Sequence, residues 1–192
     1  MQKTKKLTTL LITLILIIVS FSNNCYAAFY ANSQFGKALY ANYNASRANS
    51  VLQGNTMWCW AAAVTNANHI LGKRVVAIKD VVQLGTGKKN VKATTPGTIE
   101  DTDRALNKLN IKHSHTKQSL SIPKIKENLK KGSPIMARLN NPKRGVGHMI
   151  TIIGFVESTN SLIYLDSNYR QAKSTSYSAY KALWTDTFYN LK

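Results

Sequence analysis

The hydrophobic period of this chain changes near Gly132, and that change limits what the chain can fold into. Before Gly132, apolar residues recur three or four apart, the spacing of helices with one buried face. After it come short runs rich in branched residues and separated by turn residues, the pattern of strands. Helices first and strands second argue for an α+β domain with an antiparallel sheet, rather than an alternating parallel one.

The first helix is expected to be capped by Asn55 or Thr56 and stopped by Gly72, with Trp60, Ala63, Val64, Ala67, Ile70 and Leu71 on its inner face. The run from Val75 to Gly85 has room for a second short helix, and a Gly/Lys/Thr-rich loop follows to Gly97. Thr98 caps a third helix, with Glu100 and Asp101 in its first turn. Ser121 caps a fourth, Pro123 sits in its first turn, and Gly132 stops it. Strands are expected at Pro134 to Asn140, Gly147 to Glu157 and Ser161 to Asn168, with a hairpin turn at Ser158-Thr159-Asn160 joining the last two. The aromatic tail closes the domain with a helix and a strand.

The chain opens as a secretory signal peptide does. Lys3, Lys5 and Lys6 precede an apolar stretch from Leu7 to Phe21, and Cys25-Tyr26-Ala27 places small residues where a signal peptidase reads, so cleavage is expected after Ala27. The apolar stretch is short of the ~20 residues a membrane span needs, and "SNNC" lacks the small residues expected before a lipidated cysteine. The expected organisation is a signal peptide at 1–27, an extended N-terminal arm with room for a strand, or a short pro-segment, at 28–52, and one domain at 53–192. Membrane contact is then limited to the transient leader, and the location is periplasmic or extracellular.

Cleavage also removes Cys25 and leaves Cys59 as the single cysteine. A lone cysteine in an exported chain points to an intermolecular bridge or a reactive thiol. It excludes an internal disulfide framework, and with dispersed histidines it offers no metal-ligand spacing. No cofactor is expected, because no phosphate-binding glycine loop is present; "GTGKKN" lacks the following Ser/Thr. The net charge is +18, of which the leader's three lysines carry three. The cations are scattered singly and in pairs, with no nucleic-acid-binding motif. They form a solvated surface that can meet anionic surfaces or acidic proteins, and a monomer is expected.

Three polar residues give Cys59 a context. It lies in the first turn of its helix, where the partial positive charge of the helix start favours the thiolate. His148 opens an apolar strand beside Gly147, placed as a general base toward a thiol. The hairpin turn at 158–160 folds the next strand back, bringing Asp166 at its end beside His148 to orient the imidazole; Asn168 takes that role in a different register. Gln53, six residues before Cys59, offers a side-chain N–H to an oxyanion beside the Cys59 backbone N–H. Each residue has a plainer reading, as a buried cysteine, a core histidine, a turn aspartate or a loop glutamine. His69, His113 and His115 read as structural or exposed.

Together "QGNTMWCWAAA", "GHMITIIGF" and "IYLDSN" resemble a papain-like cysteine peptidase, most similar to the compact bacterial branch with bacteriocin-leader-processing domains and secreted effector proteases. "SIPKIKENLKKGSPIMARL" resembles the lead-in before the histidine in that branch. The resemblance covers roughly Gln53 to Asn168. It implies a papain-like fold, a helical half with the cysteine at a helix N-terminus packed on a C-terminal antiparallel sheet. It also implies a protein or peptide substrate, with Cys59 as nucleophile, His148 as base and acid, Asp166 as orienter and Gln53 as oxyanion donor. The sequence departs from the larger papain enzymes in lacking Gly-Ser before the cysteine, a disulfide framework and a long pro-region. The same four residues also serve glutamine deamidation, transglutamination or isopeptide cleavage, or survive in an inactive binding module. An effector or toxin role is compatible with either enzymatic reading.

Overall fold

A computed structural model describes residues 29–141 and 146–192. The leader assigned to 1–27, with Cys25, and the Lys143-Arg144 pair lie outside the described residues. Among the described residues, none of the helices is long and apolar enough to cross a membrane.

The strands are β1 (Phe29–Ser33), β2 (Gly36–Tyr40), β3 (Ser114–Thr116), β4 (Ile135–Asn141), β5 (Val146–Val156), β6 (Ser161–Leu165), β7 (Lys173–Ser176) and β8 (Trp184–Tyr189). The helices are α1 (Tyr43–Ser46), α2 (Cys59–Ile70), α3 (Ile78–Thr86), α4 (Ile99–Lys108), α5 (Ile122–Lys130) and α6 (Tyr177–Lys181). The strands make one antiparallel sheet in the order β1-β2-β5-β4-β8-β3, with β6 and then β7 on the other edge of β5.

β5 is the spine. One edge takes β4 through Ile152 and then β2 from Gly154 to Val156. The other edge is paired by β6 only from Thr151 onward. The start of β5 therefore keeps an edge open to the chain that leaves β6 at Leu165, and Asp166 arrives there.

The sheet is covered on both faces. Trp60, Val64 and Ala67 of α2 pack with Leu106 of α4 on Met136, Met149 and Phe188. On the opposite face Ile125 and Leu129 of α5 pack with Leu39, Ile135, Ile150 and Ile152. Neighbouring residues of β5 thus belong to different cores, as its alternation requires. Thr151, on the α2 face, donates to the Ala63 carbonyl at 3.1 Å.

The α+β, papain-like class holds, with two corrections to the expected division. β1 and β2 come from the segment read as an arm, and β3 from a linker. "FYANS" is too short and polar to show a period, yet Ala38, Leu39 and Tyr40 are buried through pairing with β5. The start of α2 also differs. Its cap position is Trp58, with no side-chain acceptor. Thr56 instead closes a turn, its hydroxyl donating to the Gln53 carbonyl at 2.7 Å and accepting the Trp58 N–H at 3.3 Å. The other stops follow the sequence. Thr98 and Asp101 form a full capping box on α4, and Gly132 takes φ +77° after α5. Ser121 occupies its cap position but makes no side-chain cap bond.

Candidate active site

The uncapped start of α2 presents the candidate nucleophile. Cys59 is its first helical residue and, among the described residues, a free and half-buried cysteine. With no side chain capping the first turn, its backbone N–H groups remain for another acceptor. The Trp60 N–H is taken by the Cys59 sulfur, as is the Met149 N–H from β5. Burial pushes the thiol up. Its hydrogen bond to His148, the charge of that ring and the two backbone donors outweigh burial, and the thiol lies below its ordinary value.

His148 Nε2 lies 2.8 Å from Asp166 Oδ1. A carboxylate accepts, so Nε2 carries the hydrogen, and Nδ1 is the nitrogen left for the thiol. Burial works against the charged ring, but the hydrogen bonds and charges of Asp166 and Cys59 raise His148 to about 9. Burial likewise opposes ionised Asp166, and the bonds from His148 and from the Asn168 backbone N–H (2.9 Å) hold its carboxyl below the ordinary range. Cys59, His148 and Asp166 therefore stand in one chain of hydrogen bonds, in which the ring favours the thiolate and the thiolate and carboxylate favour the charged ring.

Asn168, the alternative orienter, lies with Nδ2 at 3.4 Å from His148 Nε2. Both atoms are donors when Nε2 carries its hydrogen. The amide instead donates to Asp166 and reinforces the carboxylate.

Gln53 lines the same cavity as Cys59, His148 and Asp166, about 650 Å³ in volume. Its side-chain amide is fixed at both ends. Nε2 donates to the Thr56 carbonyl, which can only accept, and Oε1 accepts from the Ser167 hydroxyl at 2.6 Å. The Gln53 backbone N–H also donates to the Ser167 carbonyl at 3.1 Å. One N–H of the amide is thus spent on Thr56, and the second is available to the cavity. Consecutive residues of one turn hold the site: Asp166 fixes the histidine and Ser167 fixes the glutamine.

Sequence reasoning missed the walls. Tyr169, Tyr180 and Leu183 line the cavity beyond Asp166, and Pro96, Gly97 and Ile99 line it beyond Cys59. Trp60 sets the position of the second wall. Its indole edge fills the place of a side chain at Gly97, where a Cβ would stand 2.0 Å from Nε1, and at Gly85, where a Cβ would stand 2.5 Å from Cη2. Trp58 and Trp60 bury their indole N–H groups without a partner among the described residues, so packing alone holds them. A Gly97→Ala change is expected to cost about 2 kcal/mol through overpacking and to lower Tm by roughly 5 °C, read by thermal denaturation; an unchanged Tm would show that the wall yields freely.

The other histidines are engaged elsewhere. His113 Nε2 meets Asp103 at 2.8 Å, His115 Nε2 meets Asp186 at 3.3 Å, and His69 is exposed. Among the described residues, no group of three or more His, Cys, Asp or Glu could hold a metal.

Comparison with known proteins gives a family and a likeness of fold. A profile described as the Peptidase_C39 like family matches residues 37–190. Among solved structures, the peptidase domain of Streptococcus ComA, a bi-functional ABC transporter involved in a quorum-sensing pathway, superposes with a TM-score of 0.59. That alignment covers 74% of this chain and 96% of the other at 18% identity, a likeness of fold. No curated protein matches the chain.

Proposed function

The chain belongs to the Peptidase_C39 like family and is a cysteine peptidase of papain-like fold acting on protein or peptide substrates, and from that premise we propose that it is exported under its N-terminal leader and hydrolyses peptide bonds through Cys59, His148, Asp166 and Gln53. The observation that carries this assignment is the 2.8 Å bond from His148 to Asp166, with the Cys59 thiol bonded to the same ring.

In the proposed cycle the thiol proton passes to His148 Nδ1, and the Cys59 sulfur attacks the scissile carbonyl carbon. The carbonyl oxygen becomes an anion. It accepts the Cys59 backbone N–H, which has no intrahelical partner at the first helical position, and the second N–H of Gln53. His148 then gives its proton to the departing amine as the C–N bond breaks, leaving a thioester. Water attacks the thioester with His148 as base, and the acid product leaves as the thiol is restored. Asp166 keeps Nε2 protonated and supports the cation in both half-reactions.

Export is supported by the leader, with its lysines, apolar stretch and Cys25-Tyr26-Ala27. The basic surface suits work against acidic targets outside the producing cell, as an effector or toxin would perform.

One preparation tests these points together. The chain recovered from the periplasm or culture fluid is expected to begin at Ala28; an intact leader in that fraction contradicts cleavage. Its kcat/KM for a peptide is expected to rise with pH as the thiol, held below its ordinary value, loses its proton. It should then fall through about 9 as the raised His148 loses its own. Alkylation of Cys59 needs only the thiolate and should persist on the alkaline side. Alkylation no faster than that of free cysteine at neutral pH refutes the assignment of the nucleophile. A reactive Cys59 that shifts protein substrates only by the mass of deamidation, without cleavage, replaces proteolysis with deamidation.

A further inference from the structure

Arg138 is the lone charge in the otherwise uncharged strand β4, and it reaches the proposed active site. Its guanidinium lies across Gly147, the residue before His148. A Cβ on Gly147 would stand 2.6 Å from Nε and 2.7 Å from Cζ and Nη2, so a side chain there would push the guanidinium aside. Nη1 faces Thr185 Oγ1 at 3.4 Å and Asp186 Oδ2 at 3.6 Å. The other Asp186 oxygen is 3.3 Å from His115. One carboxylate is thus shared between two basic groups at long range, and the Arg138 side chain is still 37% exposed.

Arg138 stands where two cavities meet. It lines the one that holds Cys59 and His148, and a second of about 840 Å³. Gly97, Thr98 and Ile99 border both, so the two cavities adjoin. The second cavity also presents Lys108 and Lys117. Its acids have basic neighbours: Asp103 meets His113, Asp186 meets His115 and Arg138, and Glu100 faces Lys117 and His115.

We propose that Arg138 is a specificity residue, binding an Asp or Glu side chain of the substrate close to the scissile bond. The substrates are then peptide segments whose acidic residues lie across Arg138 into the second cavity. This rests on the active-site assignment above. A guanidinium on a cleft wall favours a carboxylate through charge-assisted, two-pronged bonding. The chain's net positive charge, which remains after the leader is removed, adds steering of acidic partners.

The test is binding to the full chain carrying Cys59→Ala, which holds substrate without turning it over. Peptides of one neutral frame carry Glu, Gln or Lys at each position in turn, and affinity is read by fluorescence anisotropy. At one or two positions Glu is expected to bind roughly tenfold more tightly than Gln, the size of one hydrogen bond to a charged group, with Lys weaker still. The preference should shrink with salt, vanish on adding Arg138→Gln, persist in part with Arg138→Lys, and reverse toward Lys with Arg138→Glu. Equal binding of Glu, Gln and Lys at every position overturns the proposal without need of any Arg138 variant. So does a preference unchanged in every folded Arg138 variant. The same peptides given to the unmodified chain separate the two assignments. A Glu preference in binding without any cleavage faults the peptidase assignment and supports Arg138, whereas cleavage with no preference faults Arg138 alone.

Discussion

Replacing Cys59 by alanine is expected to lower peptide hydrolysis by about 10⁴-fold or more, to the level that binding and a bare oxyanion site leave behind. The reason is that, among the described residues, the cleft offers no second nucleophile of comparable standing. The Ser167 hydroxyl lines the turn but donates to Gln53, and the Thr56 hydroxyl donates to the Gln53 carbonyl. Neither is bonded to a base. Cys59→Ser is expected to fall nearly as far, because the hydroxyl does not ionise at the pH where this thiol does. Initial rates on one peptide, with circular dichroism to show that α2 and the sheet persist, decide the matter. A variant retaining more than about a hundredth of the rate, against the size expected for a nucleophile, would place the chemistry elsewhere.

His148→Ala is expected to cost roughly 10²- to 10⁴-fold in kcat/KM. In the proposed cycle the ring is base in one step and acid in the next, and its charge also lowers the thiol. Without it, burial pushes the Cys59 thiol up against only the Met149 and Trp60 backbone N–H groups. Alkylation near pH 7 should therefore slow together with hydrolysis. That joint loss separates a catalytic histidine from a packing one. His148 is 27% exposed on its side chain, and its removal is expected to move Tm little. If alkylation keeps its rate while hydrolysis falls, His148 acts only on the leaving group. Asp166→Asn supplies the intermediate case. The ring keeps its place but loses the partner that raises it, and the alkaline limb should move below 9.

The polar residues of the site were legible because each stands at an element boundary that sequence chemistry marks. Cys59 begins a helix, His148 lies near the start of a strand beside glycine, and the hairpin at 158–160 places Asp166 by counting back along β6. The walls were not legible, since they depend on contacts between distant segments. Nothing near Gly97 in sequence announces that its missing side chain is occupied by Trp60. Arg138 did leave a signal, a single charge inside "PIMARLN", but a strand of that length tolerates one exposed charge without any role. The hairpin β1–β2 escaped for a further reason. Its burial comes from pairing with the far end of β5, more than a hundred residues away, and not from any period of its own. The cap of α2 was misplaced because capping chemistry at Thr56 is real, yet it serves the turn holding Gln53 rather than the helix.

The tie between Gln53 and Ser167 spans 114 residues. During synthesis the cysteine and its helix leave the ribosome long before the turn that supplies Asp166 and Ser167 exists. Closing so long a loop also comes late in folding, since its entropy must be met before its contacts form. A partly made chain thus carries a thiol with neither its base oriented nor its amide fixed.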